Sequence, residues 1–161
     1  MADVAETIED SGRRIGGHAW AEMRMFEVIG RWSGTVAEPR ARALLAGMSR
    51  HHAWHAELWH DLLPDLPHLP AADLVAPDEP TGAIVTALEV VDGTDARATL
   101  AAVHEDALPR LAARYTEHLE RTTPVTDGPT IRALRLVLAD LEGDGTAAGK
   151  LLVALRADGP R

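Results

Sequence analysis

Residues 45–62, which read LAGMSRHHAWHAELWHDL, decide the fold of this chain. The positions that recur in alternating steps of three and four are Leu45, Met48, His52, His55, Trp59 and Leu62. This period places the six side chains on one stripe of an α-helix, the stripe that a helical bundle buries. The stretch therefore predicts a core-facing helix in which two histidines stand where a plain bundle has leucine.

The histidines of this stripe indicate a chemical site. A buried imidazole is costly unless it has a partner, so His52 and His55, one turn apart, predict a metal site or an acid–base site. His51 and His60 lie in the same stretch but fall off the stripe, which makes them weaker candidates.

The composition favours one helical domain and disfavours several classes of protein. The chain has 161 residues, 46% of them hydrophobic and only 4% aromatic, which is enough for a core of its own. The formal net charge of −9 argues against nucleic acid and against an anionic membrane surface. Cysteine is absent, which excludes disulfides, thiolate zinc sites and iron–sulfur clusters. Because no signal peptide or membrane span is recognisable, the cytoplasm is the expected location.

Turn residues divide the chain into helices within a single domain over residues 1–161. Four long helices are expected over 6–32, 39–63, 95–122 and 129–157, with a short helix over 83–91. Five prolines between residues 64 and 80 predict an extended, rigid connection, and Pro109 predicts a kink in the third long helix. Two helical hairpins joined by a long crossover predict an all-α, ferritin-like four-helix bundle with a Pro-rich crossover between helices 2 and 3.

Two sequence motifs add a family resemblance. Residues 52–59 read HAWHAELW, and residues 139–144 read ADLEGD, followed by GKLL at 149–152. They resemble the motifs of the ferritin-like, carboxylate-bridged bacterial proteins, whose second helix reads Glu-x-x-His-Ala-Glu-Leu-Trp and whose last helix reads Ala-Asp-Glu-x-x-His. The resemblance implies that Glu22 corresponds to the first-helix carboxylate and His55 to the second-helix histidine of a diiron centre.

The chain departs from that family at the positions that bridge the two irons. His52 stands at one bridging glutamate and Leu141 at the other, while Asp144 replaces the last-helix histidine. For the third helix, His104, Glu105 and Asp106 are alternatives, and His104 is best in phase. A normal diiron oxygenase or iron-storage centre is therefore not expected.

The expected site combines these residues in two alternative ways. The predicted catalytic residues are His52, His55, Glu22 and His104, and the predicted substrate pocket is lined by Trp20, Phe26, Trp59 and Tyr115. In one alternative, His52, His55 and Glu22 bind a single divalent metal, iron or zinc. In the other, no cofactor is bound, and a histidine beside Glu22 transfers protons at neutral pH.

The expected function is a small-molecule enzyme of bacterial secondary metabolism that performs acid–base chemistry such as condensation, cyclisation or hydration. Two other classes stay open: an iron-dependent oxidase or hydroxylase, and a non-catalytic ligand-binding protein. The expected partners are a small-molecule substrate and a second copy in a homodimer, formed through exposed tryptophan and aliphatic surface, with no nucleic acid and no membrane.

Overall fold

The computed structural model describes residues 7–159, and its regular elements over that range are helices without a strand. In chain order they are α1 (Ile8–Thr35), α2 (Pro39–Asp61), α3 (Ala71–Leu74), α4 (Glu79–Glu89), α5 (Ala96–Ala101), a π-helical segment (Ala102–Ala107), α6 (Leu108–Arg121) and α7 (Gly128–Ala157). The all-α prediction is confirmed. The start of the predicted first helix, residue 6, lies outside the described residues.

Helices α1 and α2 form the first hairpin, and polar side chains define its ends. The Thr7 hydroxyl accepts a hydrogen bond from the Asp10 backbone N–H (3.1 Å) and so caps α1. At the other end, the Ser33 hydroxyl donates to the Gly30 carbonyl (2.7 Å), and α1 runs to Thr35 rather than ending at residue 32. Pro39 begins α2, as predicted, because a first-turn residue needs no backbone N–H.

The second hairpin consists of α5, the π-helical segment and α6, which run on without a break, and of α7. The Asp95 carboxylate accepts from the backbone N–H groups of Arg97 and Ala98 and caps α5. Where Pro109 predicted a kink, the structure has a π-helical turn immediately before the proline. A proline lacks the N–H of the regular ladder, and a locally wider turn accommodates that loss.

The connection between the hairpins is more structured than the prolines predicted. It contains α3, and α4 begins at Glu79 rather than at residue 83. The Asp78 carboxylate accepts from the Thr81 backbone N–H (2.9 Å), and Pro80 lies in the first turn, so both residues favour the earlier start. Leu74 of α3 is buried against α1, which attaches the connection to the first hairpin.

Both hairpins contribute to one buried apolar core. Its fully buried members include Ile29, Leu45, Leu100, Leu111, Leu134 and Leu152. Burying such side chains stabilises a domain by about 1.5–3 kcal/mol each. The buried polar residues include Glu22, His52 and His55. Over residues 7–159, no helix is both long enough and apolar enough to cross a membrane.

The contact between α1 and α3 gives a stability prediction. A Cβ atom at Gly16 would lie 2.0 Å from the Leu74 carbonyl oxygen, whereas a Cβ at Gly47 in α2 would meet nothing within 4 Å. Gly16→Ala is expected to lower the free energy of unfolding by about 1–3 kcal/mol, because backbone has to move. Gly47→Ala is expected to raise it by about 0.5–1 kcal/mol through helix propensity alone. Urea unfolding of the two variants measures both values, and a shift of the same sign in both would contradict the prediction.

Candidate functional site

A fully buried carboxylate, Glu22 of α1, lies at the centre of the candidate site. One of its oxygens, Oε2, lies 2.5 Å from Nδ1 of His52 on α2, a short hydrogen bond. Its other oxygen, Oε1, accepts a hydrogen bond from the Tyr115 hydroxyl of α6. Because His52 and Tyr115 are also fully buried, three helices converge on one carboxylate that has no surface exposed to solvent.

The second histidine, His55, connects this carboxylate to the surface. Its Nδ1 lies 3.4 Å from Glu22 Oε2, and its Nε2 lies 3.0 Å from Oδ2 of Asp140 on α7. The His55 side chain is fully buried, whereas the Asp140 side chain is 35% exposed. Asp140 was not among the site residues predicted from the sequence. It could have been found from its spacing, because Asp140 and Asp144 are four residues apart on α7 and His51 and His55 are four residues apart on α2.

Aromatic side chains enclose the site on the α6 side. The rings of Trp59 and Tyr115 are 5.6 Å apart, and both contact the imidazole of His18, with ring centroids at 5.0 and 4.6 Å. His18 Nε2 in turn lies 2.9 Å from Nδ1 of His118, a hydrogen bond between two buried imidazoles. The helix period explains this arrangement, because His18 precedes Glu22 by one turn on α1 and His118 follows Tyr115 by one turn on α6. His118 was not recognised in the sequence.

Charge pairing dominates the electrostatics of the centre. Burial alone raises the pKa of the Glu22 carboxyl, but His52 and His55 outweigh that effect and lower the pKa to about 2. Burial lowers the pKa of His55, yet the neighbouring Glu22 and Asp140 carboxylates raise it above its usual value. Burial and the Glu22 charge together raise the pKa of Tyr115 well above the usual range. At neutral pH the site therefore holds a carboxylate ion that accepts from a protonated tyrosine and faces an imidazole that favours its charged form.

His18 of the buried histidine pair favours its neutral form, whereas His55 favours its charged form. Burial lowers the pKa of His18 well below its usual value, and the nearby His118 lowers it further. His18 is therefore neutral at physiological pH, and one of the two rings donates to the other.

The donor set fits one metal ion. Glu22, His52 and His55 each offer a ligand atom, and these three atoms lie within 4.8 Å of one another. Two imidazole nitrogens of this three-residue cluster, Nε2 of His52 and Nδ1 of His55, are buried without a hydrogen-bond partner in residues 7–159. His55 Nδ1 and Glu22 Oε2 are 3.4 Å apart. Two ligand atoms of a tetrahedral metal ion are separated by about the same distance when each metal–ligand bond is about 2.1 Å long.

The same residues do not fit two irons. Leu141, which the predicted resemblance aligns with one bridging glutamate, is part of the apolar core. Asp144, which it aligns with the last histidine of the motif, accepts from Nδ1 of His51, 2.8 Å away. Without bridging carboxylates, nothing among the described residues links or balances a second cation there.

The structure brings together five of the predicted site residues, namely Glu22, His52, His55, Trp59 and Tyr115. Trp20 is half-buried at the edge of the core, and Phe26 is 38% exposed. His104 lines a groove of about 390 Å³ between α6 and α7 with Leu141 and Glu142, and its ring packs on Gly149, where a Cβ would lie 2.6 Å away. Within residues 7–159, no hydrogen bond or ion pair joins Phe26 or His104 to the Glu22 cluster.

The lowered pKa of His18 gives a pH prediction. A histidine whose pKa is depressed by folding contributes stability that is present above its unfolded pKa of about 6.5 and is lost as the pH falls below it. The contribution of Glu22 to stability is lost only at lower pH, as the pH falls toward its folded pKa of about 2. His55, whose pKa is raised, contributes stability at low pH, and this contribution is lost as the pH rises above 6.5.

We therefore expect the free energy of unfolding to fall between pH 6.5 and pH 5, with a slope of up to about 1.4 kcal/mol per pH unit. His18→Gln is expected to flatten that slope while lowering stability at every pH through the lost hydrogen bond. Urea unfolding at intervals of half a pH unit measures the slope. An equal slope in the wild-type protein and in His18→Gln would refute the assignment.

Comparison of the chain with protein-family models, with curated proteins and with solved structures finds no match in any of the three. The ferritin-like resemblance of the two motifs therefore stays a prediction, and the function has to be argued from the site itself.

Proposed function

We propose that this chain is a small-molecule enzyme whose centre is one divalent metal ion bound by Glu22, His52 and His55. The observation that carries the proposal is the pair of imidazole nitrogens without a hydrogen bond in residues 7–159, in a fully buried group that already contains a carboxylate. An unpaired buried donor or acceptor costs about 1–3 kcal/mol, and a metal ion bound there would remove that cost for two rings at once.

Two imidazoles and one carboxylate are a ligand set suited to zinc and to ferrous iron, and three protein ligands leave part of the coordination of the ion unfilled. When bound, the ion would supply a Lewis acid for acid–base chemistry such as hydration, condensation or cyclisation. Tyr115 holds one Glu22 oxygen through its hydrogen bond, which leaves the other oxygen directed at the histidines. Asp140 accepts from His55 Nε2, and this bond fixes the ring so that Nδ1 faces Glu22.

A second candidate function uses the same residues for redox chemistry. Ferrous iron with two histidines and one carboxylate is the centre of many oxidases and hydroxylases, and this donor set is the specific observation that favours the candidate. The identity of the ion separates the two functions. Iron with oxygen consumption supports the redox class, and zinc without it supports the acid–base class.

The remaining alternatives need no ion. A metal-free acid–base enzyme would use the Glu22–His52 hydrogen bond for proton transfer, and a non-catalytic ligand-binding protein would use the cluster only for packing. In the second case, replacing the whole group by leucine (Glu22→Leu, His52→Leu and His55→Leu together) is expected to preserve binding and to raise stability, because well-packed apolar residues often replace complete buried ion pairs with a gain.

The proposal also covers the arrangement of the helices, the oligomeric state and the location of the protein. We propose the ferritin-like arrangement for the two hairpins, with residues 62–95 as the crossover between them. A homodimer, a cytoplasmic location and a role in bacterial biosynthesis belong to the same proposal. Met23, Phe26 and Trp54 are large exposed apolar side chains of the first hairpin and are the surface that such a dimer would use.

A metal titration tests the proposal. We expect one Co²⁺ or Zn²⁺ per chain, measured by elemental analysis and by the visible absorption of Co²⁺. His55→Gln is expected to weaken binding at least about 100-fold, because it removes one of three protein ligands. His118→Gln is the matched control, since His118 is equally buried but is not among the three ligand groups.

The outcomes distinguish the alternatives. Binding by wild-type protein and by His118→Gln, but not by His55→Gln, supports the metal centre. Absence of binding by folded wild-type protein would overturn it and leave the metal-free alternatives. Equal losses in both variants would show that buried histidines matter only for the fold, and circular dichroism of each variant checks that the helices persist.

A further inference from the structure

Within residues 7–159, the side chains of the candidate centre have no surface exposed to solvent. Glu22, His52 and His55 are fully buried, and on the α6 side the fully buried Trp59 and Tyr115 cover them. Along the stripes of α1 and α2, the neighbouring buried residues are Met25 and Met48. An ion that binds there has to pass between helices, and at one place in the described residues a hydrogen bond leads from a candidate ligand itself, His55, to a partly exposed polar group.

That place is the contact between α2 and α7, where two histidine–aspartate pairs lie one helical turn apart. The inner pair is His55 with Asp140 (3.0 Å), and the outer pair is His51 with Asp144 (2.8 Å). The two imidazole rings are nearly parallel, with centroids 6.5 Å apart. We name these four residues the His–Asp ladder.

The two histidines of the ladder differ in exposure from the centre outward. The His55 side chain is fully buried and its partner Asp140 is 35% exposed, whereas His51 is 47% exposed and its partner Asp144 is 10% exposed. The next residue outside His55, Trp54, is 46% exposed, with its ring 5.7 Å from the His55 ring. Beside Asp144, the exposed Gly143 leaves open space around its Cα, and glycine weakens a helix interior by about 1 kcal/mol.

We propose that the His–Asp ladder is the entrance through which a divalent cation reaches the buried centre. The inference rests on the proposed function, since it concerns access to the same ion site. Its chemistry selects cations, because the ladder presents two carboxylates to the approaching ion and the chain as a whole carries a formal charge of −9. Each rung offers an imidazole and a carboxylate, ligands that an ion in transit exchanges for its hydration water.

A reversible block of the entrance tests this inference. The chain has no cysteine, so His51→Cys creates a single labelling position at the outer rung. A bulky methanethiosulfonate reagent then forms a mixed disulfide there, and a reductant removes it. The matched control is Glu142→Cys, labelled in the same way, because Glu142 is an exposed residue of α7 that lines the groove beside His104 instead of the ladder.

We expect the label at position 51 to slow both Co²⁺ uptake and Co²⁺ release to a chelator at least about tenfold, while the final stoichiometry stays at one. Reduction of the label is expected to restore both rates, and the label at position 142 is expected to change them less than about twofold. Equal rates for the two labelled proteins would overturn the entrance. A wild-type protein that binds no Co²⁺ at equilibrium would overturn the proposed function itself, and with it this inference.

A charge substitution gives an independent measurement. Asp144→Asn and Glu142→Gln remove the same charge from α7, but only Asp144 belongs to the ladder. At low ionic strength, Asp144→Asn is expected to reduce the association rate constant of Co²⁺ about threefold or more, an effect that salt screens. Glu142→Gln is expected to leave it nearly unchanged, and an equal decrease in both variants would assign the effect to net charge rather than to the ladder.

Discussion

The burial of the Glu22 carboxylate is the constraint on which the rest of this bundle depends. A lone carboxylate in an apolar interior is unstable unless charge and hydrogen bonds compensate its lost hydration. Here His52, His55 and the Tyr115 hydroxyl supply that compensation from two other helices. The position of α1 relative to α2 and α6 is therefore fixed by polar contacts in the middle of the core, with apolar packing above and below them.

Much of the fold was readable in the sequence because it depends on local signals. The helix period through Leu45 and His55 identified the buried face of α2, and prolines such as Pro39 marked where helices begin. The prediction was less accurate where tertiary contacts determine the position or the first residue of a helix. The docking of α3 onto Gly16 and the early start of α4 depend on Leu74 and on the Asp78 cap.

The site residues also differ in whether the local sequence pattern could predict them. His52, His55 and Glu22 were predicted to lie together because two stripes of neighbouring antiparallel helices have to face each other. Asp140, His118 and the position of His104 depend on how α6 and α7 are rotated, which a single amphipathic stripe does not determine. The π-helical segment before Pro109 contributes to that rotation, because an extra residue in a turn shifts the phase of what precedes it.

All three candidate ligands belong to the first hairpin, between residues 22 and 55. The contacts among them are local in sequence compared with those that Tyr115 and Asp140 make later in the chain. Closing the short connection between α1 and α2 costs less entropy than bringing α6 and α7 to the site, so we expect Glu22 to pair with the two histidines before the later helices pack over them. The second hairpin then covers charges that are already paired and completes their separation from water.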